Sequence, residues 1–363
     1  MDTEDKLIFG CCKINLDDLG RARITKLIHA PLDWGVIREK SQRHKVSPFL
    51  YYNLSAMTQE NSVPQEIMKS LKESYMGGLY KNTVMEKAAI PFFKAASAHN
   101  LGFIIIKGFA LTHLLYRDAG LRPMCDIDIL IKENERNKLA QILEKEGYEG
   151  DFSGLKGQNR FIDQLIFAKD TVLGRFMLDV HWTFFSSRPY KINLPSAWER
   201  LQLINIDGQR APCLSLEDTL LVLVLHARRH TRNLGLNQIV DIAELIKQHA
   251  LELDWEYINK ESGRNHFLMP LYFCLYLAQE LLEAKIPETF MKRLQPNIVK
   301  RWLIMRLINK ANFLKRTVGE GRLIRFLLFD RLVDFLVYLW RVVFLEKFIY
   351  HNCQNERIKT VIP

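Results

Sequence analysis

Apolar positions along the chain follow three regimes. In the first hundred residues they recur every three or four positions, which predicts helices over Leu32–Lys45 and Pro64–Asn100. Pro64 suits a first helical position, and His99-Asn100 suits a helix exit. The period then shortens. "FIIIK" (Phe103–Lys107) predicts a strand, Gly108 a turn into the helical "ALTHLLYRDAG", and "RPMCDIDILIK" (Arg122–Lys132) a second strand. A helix over Glu133–Gly147 follows. "RFIDQLIFAK" and "RFMLDVHWTFF", joined by "DTVLG", predict two antiparallel strands ending near Pro195. From Leu214 the helical spacing returns, with Ser215 and Asp218 marking a helix start, then "LNQIVDIAELIKQH" and "LDWEYINKESGRN". Leu-Asp-Trp-x-x-Ile occurs at Leu32–Ile37 and Leu253–Ile258, so Asp33 and Asp254 are expected helix caps. The expected fold is α+β, a small mixed β-sheet core (101–200) between a helical N-terminal region (1–100) and a helical C-terminal region (210–363).

The last apolar stretch, Arg322–Tyr350, is interrupted by Asp330, Asp334 and Arg341, and falls short of the ~18 uncharged residues of a bilayer span. Packing into the protein is the favoured reading over lying on a membrane surface. The charge of the chain sharpens that choice. Its net +10 is concentrated between Lys300 and Lys347, where eleven Lys/Arg face four Asp/Glu. Such a tail suits a polyanion or an anionic membrane surface as well as a solvated helix face. At 363 residues, with 48% hydrophobic and 25% charged residues, the chain has the makeup of a globular protein of two or three domains. The six cysteines lack zinc-type spacing, and "MDTEDKLIFG" is acidic before it is apolar. Free thiols and a cytoplasmic location are expected.

The candidate chemistry starts at Asp126-Ile127-Asp128. On an extended chain these carboxylates share a face, and burial between apolar neighbours would intensify their repulsion. A positive group must compensate, a metal ion first of all. A strand with one solvated face is the bland alternative. Asp179 alternates with Leu178 and Val180 on a later strand, and His181 shares its face. Lys107-Gly108 joins a strand to a helix, a geometry that offers backbone N–H groups to phosphate. His226 and His230 stand four apart on a helix and would suit a metal if a third ligand were present, but Arg229 between them argues for an anionic neighbour. Asp241 reads as a helix-face or capping residue.

With these residues in order, the chain resembles the nucleotidyltransferase superfamily with the polymerase-beta-type palm. More closely it resembles a bacterial nucleotidyltransferase family carrying "LKG" where others have a Gly-Ser turn. The matching residues are Lys107, Gly108, Leu111, Leu115, Tyr116, Asp118, Gly120, Arg122 and Asp126 to Leu130, then "LDVHW", His226, Arg229, His230 and "VDIAEL". The likeness runs over roughly residues 30 to 290. It implies transfer of an NMP group from an NTP, with ATP the expected donor, to an acceptor hydroxyl, releasing pyrophosphate. It also implies Mg²⁺ held by Asp126, Asp128 and Asp179, which are the catalytic set. Lys107, Gly108, Arg122, His181, His226, Arg229 and His230 would then bind nucleotide. Phe109 stands where the superfamily has Ser, so Lys107 is expected either to supply the missing phosphate contact or to serve as a structural feature of the turn. The acceptor is a small molecule, a sugar or a protein. A nucleotide-binding module without turnover and an RNA-directed transferase are the alternative readings.

Overall fold

The computed structural model describes residues 1–57, 62–157, 164–172, 174–184, 194–309, 311–315 and 317–340. Its centre is a mixed sheet of β1 (Phe103–Ile106), β2 (Ile127–Ile131), β3 (Glu149–Gly150), β4 (Gln164–Thr171), β5 (Gly174–His181), β6 (Gln202–Ile206) and β7 (Gln209–Cys213). The spatial order is β3-β4-β5-β2-β1-β7-β6. β2 pairs antiparallel with β1 and parallel with β5, while β1 pairs parallel with β7.

β1 and β2 are buried at every position because helices cover both sheet faces. The two-residue period of the strands sorts their side chains between two cores. Phe103, Ile105, Ile127, Ile129, Leu178 and Val180 pack with Phe92, Phe93 and Leu139 of the helices Gln65–Ala98 and Arg136–Lys145. Phe93 stacks on Phe103 with centroids 5.8 Å apart. Ile104, Ile106 and Leu130 face the opposite way, into a core shared by the N-terminal and C-terminal helices. By the same alternation Asp128, Asp179 and His181 fall on that second face, toward the C-terminal helices.

The caps expected from the sequence are in place. Asp33 accepts from Val36 N–H, Asp254 from Glu256 and Tyr257 N–H, and Ser215 from Asp218 N–H. Pro64 sits one residue before its helix, at the cap.

Four expectations change. First, the strand expected over Arg122–Lys132 begins only at Ile127, so Asp126 lies just ahead of it. Second, the sheet continues beyond residue 200 through the hairpin β6–β7, whose two-residue loop Asp207-Gly208 has φ of 46° and 82°. Both central residues of such a loop need positive φ, and Asp-Gly is a favoured pair there. Third, the helical regions before and after the sheet share one core instead of forming separate units: Leu7 and Cys11 belong to the same cluster as Leu281.

Fourth, the apolar tail is not one helix. A helix spans Val318–Leu327, the chain breaks at 328–331, and helix resumes over 332–340. The expected remainder, 341–350, lies outside the described residues. The break has a cause in Asp330. Its carboxylate accepts from Leu268 N–H at 2.7 Å and Met269 N–H at 2.8 Å. Those are first-turn donors of the helix Leu268–Leu282, whose own cap residue, Phe267, has no side-chain acceptor. Asp330→Ala is therefore expected to lower unfolding free energy by about 1–2 kcal/mol, read from urea denaturation. An unchanged midpoint would remove Asp330 as the cap.

No helix among the described residues is long and apolar enough to cross a membrane.

Candidate active site

Three adjacent strands deliver the polar groups. Ile106 on β1 stands opposite Asp128 on β2, and Asp128 stands beside Asp179 on β5. Immediately after Ile106, Lys107 adopts φ 57°, ψ −133° and turns the chain into the helix Gly108–Leu114. That conformation suits glycine and costs a lysine roughly 1–3 kcal/mol. What offsets it is reach: Lys107 Nζ donates to Asp128 Oδ1 at 2.7 Å. His181 Nε2 lies 3.0 Å from the same oxygen and 3.3 Å from Asp179 Oδ2. Lys107, Asp128, Asp179 and His181 are all buried, none more than 9% exposed.

The positive groups compensating the carboxylates thus include two from the protein itself. Burial would raise the Asp128 carboxyl, but Lys107 and His181 outweigh it and hold it far below the usual carboxylate range. Burial likewise opposes charging of His181, yet its hydrogen bonds to Asp128 and Asp179 prevail and raise its pKa. A raised histidine contributes stability that is complete below its ordinary value of 6.5 and is lost as pH climbs through the folded value. A depressed Asp128 contributes stability present above 3.8 and lost as pH falls toward its folded value. The metal-free protein should therefore melt at a falling temperature as pH rises past 6.5. His181→Gln should flatten that limb of the Tm–pH curve, and an unaltered slope would refute the coupling.

Asp126, just before β2, is half-buried and lacks the Lys107 and His181 bonds of its neighbour. Burial, then the charges of Asp128 and Asp179, raise its carboxyl. The pair expected to lie side by side on one strand is thus replaced by a cross-strand pair, Asp128 with Asp179.

The group Asp128, Asp179 and His181 places one ligand atom from each residue within 4.8 Å of the others. Asp179 Oδ1 is buried and has no hydrogen-bond partner. A buried carboxylate oxygen left bare is costly unless something positive meets it. Two carboxylates beside an open oxygen are donors that fit a hard divalent cation, Mg²⁺ among them.

Arg122 is not aimed at the carboxylates. Its Nε and Nη2 grip Asp241 at 2.8 to 3.1 Å, and Tyr116 OH donates to Asp241 at 2.6 Å. Burial opposes the Arg122 charge, but Asp241 stabilises it more, so its pKa rises. The remaining arm, Nη1, lies 2.8 Å from where a Cβ on Gly108 would stand. Gly108 therefore has a steric reason: any side chain would displace the Arg122 guanidinium. Asp241 and Tyr116 carry this arrangement and were not expected in the site. The signal was an aspartate inside "VDIAEL", whose neighbours Val240, Ile242 and Ala243 are fully buried.

His226, on the helix Leu216–Arg229, is charge-coupled to this centre. Burial first, then Lys107, lowers its pKa well below the ordinary histidine value. His230 packs against it with ring centroids 4.5 Å apart, and its pKa is lowered by burial and Arg229. Neither joins the candidate metal group found among the described residues. Arg229 is exposed and reaches Gln164 at 3.4 Å, while Arg228 is buried over the Phe329 ring.

A family model described as an uncharacterised nucleotidyltransferase matches residues 30–283. No curated protein matches the chain. Among solved structures, ANT(2″)-Ia in complex with adenylyl-2″-tobramycin matches at 17% identity and TM-score 0.36, over 49% of this chain and 95% of that one. An antigenic nucleotidyltransferase-like protein from Paracoccidioides brasiliensis matches at 19% identity and TM-score 0.34, over 57% of this chain and 94% of that one.

Proposed function

This chain belongs to the family of uncharacterised nucleotidyltransferases, and from that membership we propose that it moves an NMP group from an NTP to an acceptor hydroxyl, releasing pyrophosphate. The observation that carries the reading is the buried Asp128–Asp179 pair with its bare Asp179 oxygen, lying beside a lysine at a strand-to-helix turn. Asp128 and Asp179 would hold the divalent ion, with Asp126 completing the set. When bound, Mg²⁺ would draw charge from the acceptor oxygen and the triphosphate.

The chain's own groups do the rest. Lys107 Nζ, 2.7 Å from Asp128 Oδ1, would offer its charge to a phosphate oxygen, and Arg122 Nη1 beside Gly108 would offer another donor. His181 orients the two carboxylates through one nitrogen. His226, kept neutral by burial, has room in its proton balance to accept a hydrogen bond from a substrate hydroxyl. In the transfer, the acceptor oxygen forms a bond to the α-phosphorus as the bond to pyrophosphate breaks. Catalysis is then mostly positioning and charge stabilisation. ATP, for which the cytoplasm is the natural supply, is the proposed donor.

The test pairs two measurements. Calorimetry with ATP and Mg²⁺ should show binding, and pyrophosphate release should appear over a panel of aminoglycoside, sugar, nucleotide and protein acceptors. Absence of ATP binding would sink the reading. Binding without release over the whole panel would favour a nucleotide-binding module.

A further inference from the structure

Large exposed apolar side chains cluster in 298–340, a segment distinct from the acidic site. The helix over 332–340 shows why they matter. Its inner face carries Phe335 and Tyr338, whose rings pack on Phe326 and Phe329 at 5.4 to 6.4 Å. Its outer face carries Leu332, Val333, Leu336 and Val337, spaced i, i+1, i+4, i+5, and all exposed. An ordinary surface helix turns a polar face outward; this one has apolar residues on both.

Phe326 connects this helix to a second apolar feature. Together with Trp302, Leu303, Leu307, Leu323 and Leu327 it lines a groove between the helices Ile298–Leu307 and Val318–Leu327. Trp302 is 55% exposed and Leu323 53%.

The surrounding charge selects the occupant. Residues 298–340 contain nine Lys/Arg against three Asp/Glu, a surplus of six. All three carboxylates are already engaged, Glu320 with the Thr317 cap, Asp330 with backbone amides and Asp334 with Arg331. The cations lie beside the aromatic rings: Arg306 is 5.4 Å from the Trp302 ring centre, and Arg325 is 5.1 Å from that of Tyr338. Exposed Leu, Val and Trp interleaved with arginine match the boundary between acyl chains and anionic headgroups, where an apolar face can sink while the cations stay with phosphate. No helix among the described residues is long and apolar enough to cross a membrane, and the proposed contact is with one leaflet.

We propose that the face formed by 332–340 and the adjoining Trp302–Phe326 groove docks the protein peripherally onto an anionic lipid bilayer.

The experiment is vesicle co-sedimentation of the full-length chain. Vesicles of phosphatidylcholine with about a third phosphatidylglycerol should pull the protein down, pure phosphatidylcholine should do so at least about tenfold less well, and high salt should weaken the binding. Leu336→Glu with Val337→Glu places two carboxylates on the exposed face and should reduce binding at least about tenfold. Arg306→Gln with Arg322→Gln should diminish the preference for the anionic vesicle. Both double variants change exposed side chains, and unchanged circular dichroism melting will verify that they fold. The proposal is overturned if wild type fails to sediment with either vesicle. It is overturned equally if the Leu336/Val337 variant binds like wild type. A dimer in light scattering that the same variant dissociates, without vesicle binding, would assign the face to a second copy of the chain instead.

Discussion

Asp128→Asn is expected to reduce nucleotidyl transfer by roughly 10³-fold or more while leaving a folded protein. The amide keeps the shape of the carboxylate but not its charge. Asp128 accepts from both Lys107 and His181 and stands beside Asp179, so it is the junction of the site. Losing its charge weakens any cation site and returns His181 toward its ordinary pKa, because one of the two carboxylates holding its proton is gone. Fold loss should be moderate, since Asp179 stays in place as a second partner for His181. Two measurements check this: pyrophosphate release under saturating Mg²⁺ and ATP, and Mn²⁺ affinity followed by proton relaxation. Transfer at the wild-type rate would remove the carboxylate pair from the chemistry.

Asp241→Ala should produce the largest stability effect, about 3–5 kcal/mol, because it leaves the Arg122 guanidinium buried without its bidentate partner. The two side chains are 19% and 4% exposed, so solvent screening relieves little of that cost. The decisive comparison is the double variant Arg122→Met with Asp241→Leu. Removing both charges should recover most of the stability while transfer stays impaired, because the Nη1 arm above Gly108 is gone. If Asp241→Ala melted like wild type, the pair would have no structural weight. If the double variant regained full activity, Arg122 would have no part in binding phosphate.

How much of this was legible in the sequence depends on the range of the interaction involved. Local devices were readable. Asp33, Asp254 and Ser215 are helix caps because an acceptor two or three residues before a bare N–H acts at short range. β1 is readable from the run Ile104-Ile105-Ile106, and β2 from the β-branched residues Ile127, Ile129 and Ile131 on one face of it. The hairpin β6–β7 was overlooked although Asp207-Gly208 is a hairpin signal. Pro212 lies within β7, and a proline argues against a strand.

The candidate site divides the same way. Lys107, Asp128, Asp179 and His181 were nominated by residue type and order, and the sheet register brings them together. Asp126 falls ahead of the strand because the strand expected from Arg122 begins five residues later, at Ile127. The Arg122–Asp241 pair was invisible, since 119 residues separate its partners and no periodicity links them. The break at Asp330 escaped for the same reason: the amides it caps lie 62 and 61 residues upstream.

The shared helical core has a consequence for how the chain is made. The helix Thr3–Cys11 leaves the ribosome long before Leu281 does, yet Leu7 and Cys11 pack in a cluster with Leu281. Lys13 and Arg23 both pair with Glu283, 270 and 260 residues downstream. At about 5–20 residues per second that interval lasts on the order of tens of seconds. The nascent N-terminal helices can pack on one another in that time, but the part of their apolar surface that meets Leu281 stays uncovered, which makes them natural clients for a chaperone. Chains stalled before residue 268 should be cleaved by protease within residues 1–57 far faster than the finished protein. Equal protection would mean that the early helices find an interim partner of their own.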